Sequence, residues 1–319
     1  MKKVLLATTA LLMTAGAAAA EVTFNGNARF GLQYNSDPTV VPPGAAFDSN
    51  MPVGTREATL EKRLRFQVNA STTTDGGVTL GAFLRHQSDE MGGNRGFSGA
   101  RLYAAYNGLT VAVGNIEGSI ESMPGLYWTA GMSLTGLSWS GLVTNTVAKG
   151  YFGWDAYSST GNGPGGREGI EVKYTMGDFT VHASHSSNSL SGLAGKVERS
   201  AIYGAYKFSG WTVALGYSDS TLNTEDKLIL LVGGNIGDYG VGFQVADNDG
   251  TTKIALNGSA TFGATTVMAY VADEDTAGVD TAYGLGVSYN LGGGAKLVGG
   301  VESTPWNTTR ADFGVSFSF

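Results

Sequence analysis

The segment EVTFNGNARFGLQYN at residues 21–35 alternates apolar and polar side chains with a period of two. Successive side chains of a β-strand point to opposite faces, so this segment predicts a strand with one apolar and one polar face. The apolar parity holds Val22, Phe24, Gly26, Ala28, Phe30, Leu32 and Tyr34. Similar segments, separated by glycine-rich turns, recur along the chain, and counting them gives sixteen strands.

The predicted fold is all-β: a 16-stranded antiparallel transmembrane β-barrel. Each strand spends roughly ten residues in an apolar band, the length that a tilted strand needs to cross a membrane. Aromatic residues flank the short turns, as in the interfacial girdles of membrane barrels. A soluble β-sandwich would also alternate, but it explains these aromatic rims and the many regular hairpins poorly.

The N-terminus predicts export. Lys2 and Lys3 precede an apolar run, and alanines 17–20 follow it, so residues 1–20 are expected to be a signal peptide and residues 21–319 the barrel. Cysteine is absent, which excludes disulfides and thiolate chemistry. The chain has a formal net charge of −7, which argues against a nucleic-acid partner.

One long segment, residues 115–166, does not alternate. So long an irregular loop is uncommon in a compact domain unless it is functional. It is expected to fold into the mouth of the barrel and narrow the pore. It carries several large aromatic residues: Trp128, Trp139, Tyr151, Trp154 and Tyr157.

The polar parity is expected to face the lumen, because lipid cannot satisfy charged groups. It places on one wall the arginines of the first four strands: Arg29, Arg63, Arg65, Arg85 and Arg101. The long loop offers Glu117, Glu121 and Asp155 for the opposite side of a constriction. Opposed charges across a narrow aqueous gap create a transverse field that selects polar solutes. Alternatively, some of these arginines pair with Glu57 and Glu61.

The signal peptide, the opening at residues 21–35, the stretch from Tyr283 to Val301 and the terminal Phe319 resemble the Gram-negative general porins, above all the 16-stranded porins of alphaproteobacteria. The resemblance implies an outer-membrane homotrimer whose third external loop enters the lumen. It also implies that Phe319 is the assembly signal read by the barrel-assembly machinery. The expected subunit interface includes the outward residues Phe24, Leu64, Val315 and Phe317.

Other chemistry finds little support. His182 and His185 are three apart on a strand and point to opposite faces. The letters of a dinucleotide fingerprint at residues 161–166 precede a strand, so they fail their context test. No cofactor and no enzymatic activity are expected. A structural calcium ion at Glu117 and Glu121 is an open possibility.

The predicted function is a passive outer-membrane diffusion pore for small hydrophilic solutes and ions, surrounded by outer-membrane lipid and lipopolysaccharide. The main alternative is a substrate-selective channel in which the loop aromatics stack against sugars or other ring-bearing solutes. A barrel enzyme and a purely structural or adhesive barrel are further alternatives.

Overall fold

The computed structural model describes residues 20–37, 57–89, 97–128, 131, 133–136, 168–189, 196–221 and 226–319. Residues 1–19 of the predicted signal peptide, Asp155 and the loop aromatics after Trp128 lie outside these residues. The described strands are β1 Glu21–Asn35, β2 Ala58–Thr73, β3 Thr79–Asp89, β4 Arg101–Tyr106, β5 Leu109–Gly114, β6 Glu168–Met176, β7 Phe179–Ser189, β8 Lys196–Phe208, β9 Trp211–Ser220, β10 Lys227–Ile236, β11 Tyr239–Asn248, β12 Thr251–Phe262, β13 Thr265–Glu274, β14 Ala282–Gly292, β15 Ala295–Ser303 and β16 Thr309–Ser318.

The sixteen strands form a closed antiparallel barrel. Each strand pairs with its sequence neighbours, and β1 pairs with β16 to close the ring. At this seam Gly31 lies opposite Gly314. The predicted fold class is therefore confirmed. In the same residues, no helix is long and apolar enough to cross a membrane.

Short turns join the strands at one end of the barrel. The turn between β4 and β5 shows why the sequence folds this way: Asn107 and Gly108 both have positive φ, 45° and 81°. A two-residue hairpin turn of this twist requires such angles, which Asn-Gly adopts readily. The long loop follows β5, as predicted, and begins at the opposite end of the barrel.

The apolar parity faces outward. Phe24 and Phe30 of β1 are 63% and 56% exposed, whereas Arg29 and Gln33 of the same strand are 7% and 5% exposed. A protein with an apolar outer face and a polar interior inverts the usual arrangement in water, where large exposed apolar patches are rare. This surface matches a hydrocarbon environment. Aromatic side chains near the short turns are also exposed, among them Phe179, Phe208, Tyr239, Phe262 and Tyr289.

An apolar cluster lies inside the barrel, which the strand pattern alone does not require. Ile229 and Leu231 of β10 are buried on its inner face, although Leu228 and Leu230 of the same strand point outward. Ile120, Met123 and Leu126 of the long loop belong to the same buried cluster. The described part of the loop therefore lies against the inner wall.

Candidate functional site

The long loop turns into the lumen directly after β5. Backbone N–H of Gly118 donates to Oε2 of Glu171 at 3.0 Å, and Nε of Arg101 donates to Oε1 of the same carboxylate at 2.7 Å. Backbone N–H of Ser119 donates to Oγ of Ser184 at 2.9 Å. These bonds attach the start of the loop to the inner faces of β6 and β7.

The segment from Gly125 to Trp128 of the loop packs on glycines of the wall. The Trp128 ring lies over Gly233 and Gly242, which are opposite each other on β10 and β11. A Cβ at Gly233 would lie only 2.3 Å from that ring. Nε2 of Gln244 donates to the Gly125 carbonyl at 2.7 Å. Because these glycines have no side chain, the wall leaves the space that the loop occupies.

The far end of the described loop reaches the seam between β16 and β1. The Asp312 carboxylate accepts the backbone N–H of Leu134 at 2.8 Å and that of Thr135 at 2.9 Å. It also accepts the Thr135 hydroxyl at 2.6 Å. The Leu134 side chain lies against Gly31 and Gly314, where a Cβ on either glycine would come within 3 Å of it. We call this contact the seam anchor.

Arginines line the wall formed by β1, β2 and β3. Nε of Arg29 donates to Oε1 of the buried Glu61 at 2.5 Å, and Nε2 of Gln33 donates to Oε2 of the same residue at 2.5 Å. Arg63 lies directly opposite Arg29 in the β1–β2 register. Nε of Arg65 donates to Gln87 at 2.5 Å. The alternative that some arginines pair with wall acids is thus correct for Arg29.

Glu121 lies on the loop within electrostatic range of this wall. Enclosure inside the barrel raises its pKa to about 7 by disfavouring the charged form. The hydrogen bond from the Tyr127 hydroxyl, at 2.6 Å, opposes that increase, whereas the charge of Glu117 adds to it. Arg85 and Arg65 also oppose the increase. The loop acid therefore lies within electrostatic range of these two arginines.

Four of the five predicted arginines lie close together on this wall. The charges of Arg29, Arg65 and Arg85 all act on Arg63. Arg101 is placed elsewhere, because it pairs with Glu171 at the start of the loop at 2.5 Å. Its contacts give it an anchoring position.

Two residues that hold the loop, Glu171 and Asp312, were not singled out from the sequence. Both occupy the polar parity of their strands, beside the outward Val172 and Phe313. The alternation of polar and apolar residues alone could have predicted that both side chains face the lumen. It could not have shown that the loop would reach them, because these contacts join residues far apart in the chain.

The residues that the structure describes hold no group of three or more His, Asp or Glu side chains arranged for a metal ion. Glu121 is instead engaged by Tyr127. The calcium site at Glu117 and Glu121 stays a prediction. The opposite orientations of His182 and His185 are confirmed, since the first is buried and the second is exposed.

A closed sixteen-stranded barrel with an apolar outside, a charged lumen and a loop on its inner wall defines a transmembrane channel. A family model described as Gram-negative porin matches residues 7–305, and the chain belongs to this family. It is an outer-membrane diffusion pore.

Individual relatives are similar in sequence to nearly the whole chain. A porin of Fuscovulum blasticum is 33% identical over 311 residues, which cover 94% of this chain and 100% of that protein. A porin of Rhodobacter capsulatus is 30% identical over 333 residues, with the same coverage. Among solved structures, two multiply substituted forms of the Rh. blastica porin superimpose with a TM-score of 0.76. These are 29% and 28% identical and cover 94% of this chain and 100% of their own.

Proposed function

We propose that the inserted loop and the arginine wall of β1–β3 form the constriction that selects solutes by size and charge. The observation that carries this proposal is the place of Glu121 on the loop, directly after the bonds to β6 and β7 and within electrostatic range of Arg65 and Arg85. Glu117 adds a second loop acid beside it. Asp155, which lies outside the described residues, is proposed to extend the same acidic side.

Selection in such a pore is physical and involves no covalent step. Positive charge on one side and negative charge on the other create a field perpendicular to the direction of permeation. Polar solutes and hydrated ions orient in that field. Apolar solutes would have to displace its ordered water without replacing the lost interactions, so the constriction hinders them.

Reversal potentials in planar bilayers test the proposal. The mature protein should form ohmic channels with a modest cation preference under a salt gradient. Glu121→Gln should shift the reversal potential toward anions, and Arg65→Gln should shift it toward cations. Equal reversal potentials in all three proteins would overturn the assignment of the constriction.

The alternative of a substrate-selective channel depends on exposed loop aromatics. Trp128 does not support it, because its ring covers the glycines of β10 and β11. The remaining loop aromatics lie outside the described residues. Conductance that saturates with one class of sugar, and not with salt, would favour the selective channel.

We further propose a homotrimer that contacts outer-membrane lipid and lipopolysaccharide. Phe24, Leu64, Val315 and Phe317 belong to the outward parity of three adjacent strands, β2, β1 and β16, which gives them one continuous surface. Phe319 ends the chain against β1, where its backbone exchanges hydrogen bonds with Gly26 at 2.9 and 3.0 Å. We propose that the assembly machinery reads this terminal aromatic before the seam forms, after residues 1–20 have directed export.

Velocity sedimentation in detergent tests the trimer. The native protein should sediment as three copies, and Val315→Arg on the proposed interface should yield monomers. A matched Leu228→Arg on the outer face of β10 should leave the trimer intact. A native monomer would overturn this part of the proposal.

A further inference from the structure

Arg63 differs from Arg29 and Arg65 in having no hydrogen-bond acceptor for Nε. In the part of the chain that the structure describes, this atom is buried without a partner. Both oxygens of Glu61 are already engaged, by Arg29 and Gln33. The acceptor of Gln87 is engaged by Arg65. The acceptors of Glu61 and Gln87 are thus used by other side chains.

The charges around Arg63 make this arrangement costly without an anion. Three arginines, Arg65, Arg29 and Arg85, and the carboxylate of Glu61 act on it electrostatically. Arg29 is its direct cross-strand neighbour, and like charges opposite each other destabilise a sheet. A buried donor left unsatisfied costs about 1–3 kcal/mol, and more when it is charged. An unpartnered buried group of this kind is a sign of a missing water or ion.

We infer that Arg63 is the centre of a weak binding site for oxyanions, such as phosphate or carboxylate groups of passing solutes. A guanidinium presents a planar fork of N–H donors that matches the geometry of these groups. Arg29, Arg65 and Arg85 supply additional positive charge. The inference rests on the proposed function, because it gives the solute class retained at the arginine side of the constriction.

Such a site slows anions without trapping them. Conduction requires binding that is favourable enough for entry and weak enough for release. Glu117 and Glu121 lie on the loop across from the arginines and repel an anion bound there. The site therefore predicts millimolar, rapidly reversible binding and a conductance that saturates as the oxyanion concentration rises.

Single-channel conductance tests this with inorganic phosphate as the probe, titrated into potassium chloride at constant ionic strength. Phosphate should lower the native conductance along a saturating curve. Arg63→Gln should raise the half-saturating concentration at least tenfold. Arg63→Lys keeps the charge but loses the fork, so it should raise that concentration about threefold while preserving the reversal potential. Lys207→Gln removes a charge beside the β8–β9 turn, six strands away from β2, and should not alter the titration.

The outcomes separate this inference from the proposed function. A conductance that falls equally in all variants, or without saturation, overturns the oxyanion site and leaves the pore intact. Failure of the native protein to conduct overturns the pore itself. Asp89 lies opposite Arg63 in the β2–β3 register. Phosphate saturation that is absent from the native protein and arises in Asp89→Asn also overturns the inference.

Discussion

The Asp312 carboxylate accepts the backbone N–H of Leu134, 178 positions earlier in the chain, at 2.8 Å. This bond connects the inserted loop to β16 on the far side of the lumen from the start of the loop at β6. The loop is thus held at both ends of its described part. Its position in the lumen is set by specific side chains, and this makes it open to test.

Asp312→Asn should release the seam anchor. The amide keeps one acceptor oxygen but loses the charge that three donors share, and hydrogen bonds to charged groups contribute about 1.5–3 kcal/mol each. We expect a larger single-channel conductance and more current noise, because the loop end gains freedom. Planar-bilayer recordings check this, with Asp238→Asn in the β10–β11 turn as the control. A conductance equal to the native value would show that the anchor does not position the loop.

Gly31→Ala should destabilise the barrel at the same seam. The added Cβ would lie 2.2 Å from the Phe313 carbonyl oxygen and 2.7 Å from Leu134 Cδ2, so backbone and loop must both shift. Overpacking of this kind costs about 1–3 kcal/mol. Urea unfolding in lipid vesicles measures the loss. Gly258→Ala is the matched control, since its Cβ would meet nothing closer than 3.8 Å. Equal stability of the two variants would contradict the close packing of the seam.

Cation preference should rise with pH because of Glu121. Its pKa is raised to about 7, so the carboxyl is mostly neutral at pH 6 and mostly charged at pH 8. A charged Glu121 attracts cations, and the reversal potential should therefore move toward cations between these pH values. Glu121→Gln should remove most of that change. A native reversal potential that stays constant from pH 6 to pH 8 would contradict the raised pKa.

Glu171→Gln should loosen the start of the loop. The carboxylate accepts from Gly118 and pairs with Arg101, and the amide cannot compensate the arginine charge. We expect a loss of about 2–3 kcal/mol in the free energy of unfolding. This is less than for a fully buried pair, because the Arg101 side chain remains 22% exposed.

Combining Glu171→Gln with Asp312→Asn provides the check on this prediction. The two residues hold opposite ends of the described loop, and distant substitutions usually add. Urea unfolding of the double variant should give the sum of the two losses. A combined loss much smaller than the sum would indicate that the ends are released together.

The strands and the orientation of their side chains could be predicted from the sequence, because the alternation of apolar and polar residues indicates both. In β1 the alternation alone assigned Phe30 to lipid and Arg29 to the lumen, and the structure agrees. The apolar cluster inside the barrel could not be predicted in this way. Ile229 and Leu231 sit in the run from Leu228 to Val232, where both faces are apolar and parity carries no information.

The sequence could predict which residues lie in the candidate site, but it could not predict which of them pair with each other. The arginines of β1–β3 could be placed on one wall from parity and strand order. The separate position of Arg101 depends on Glu171, which is 70 positions away. Only β5 lies between the strands of these two residues, but the long loop separates them in sequence, and a local pattern does not encode which side chains pair.

The notch that holds Leu134 has a consequence for the order of events in folding. One of its walls is Gly31 in the first strand and the other is Gly314 in the last, so the notch does not exist until β1 and β16 have joined. The seam anchor can therefore form only after the ring has closed. Before closure the loop can be held only by its contacts with β6, β7, β10 and β11, and the fixing of its far end is among the last steps of maturation.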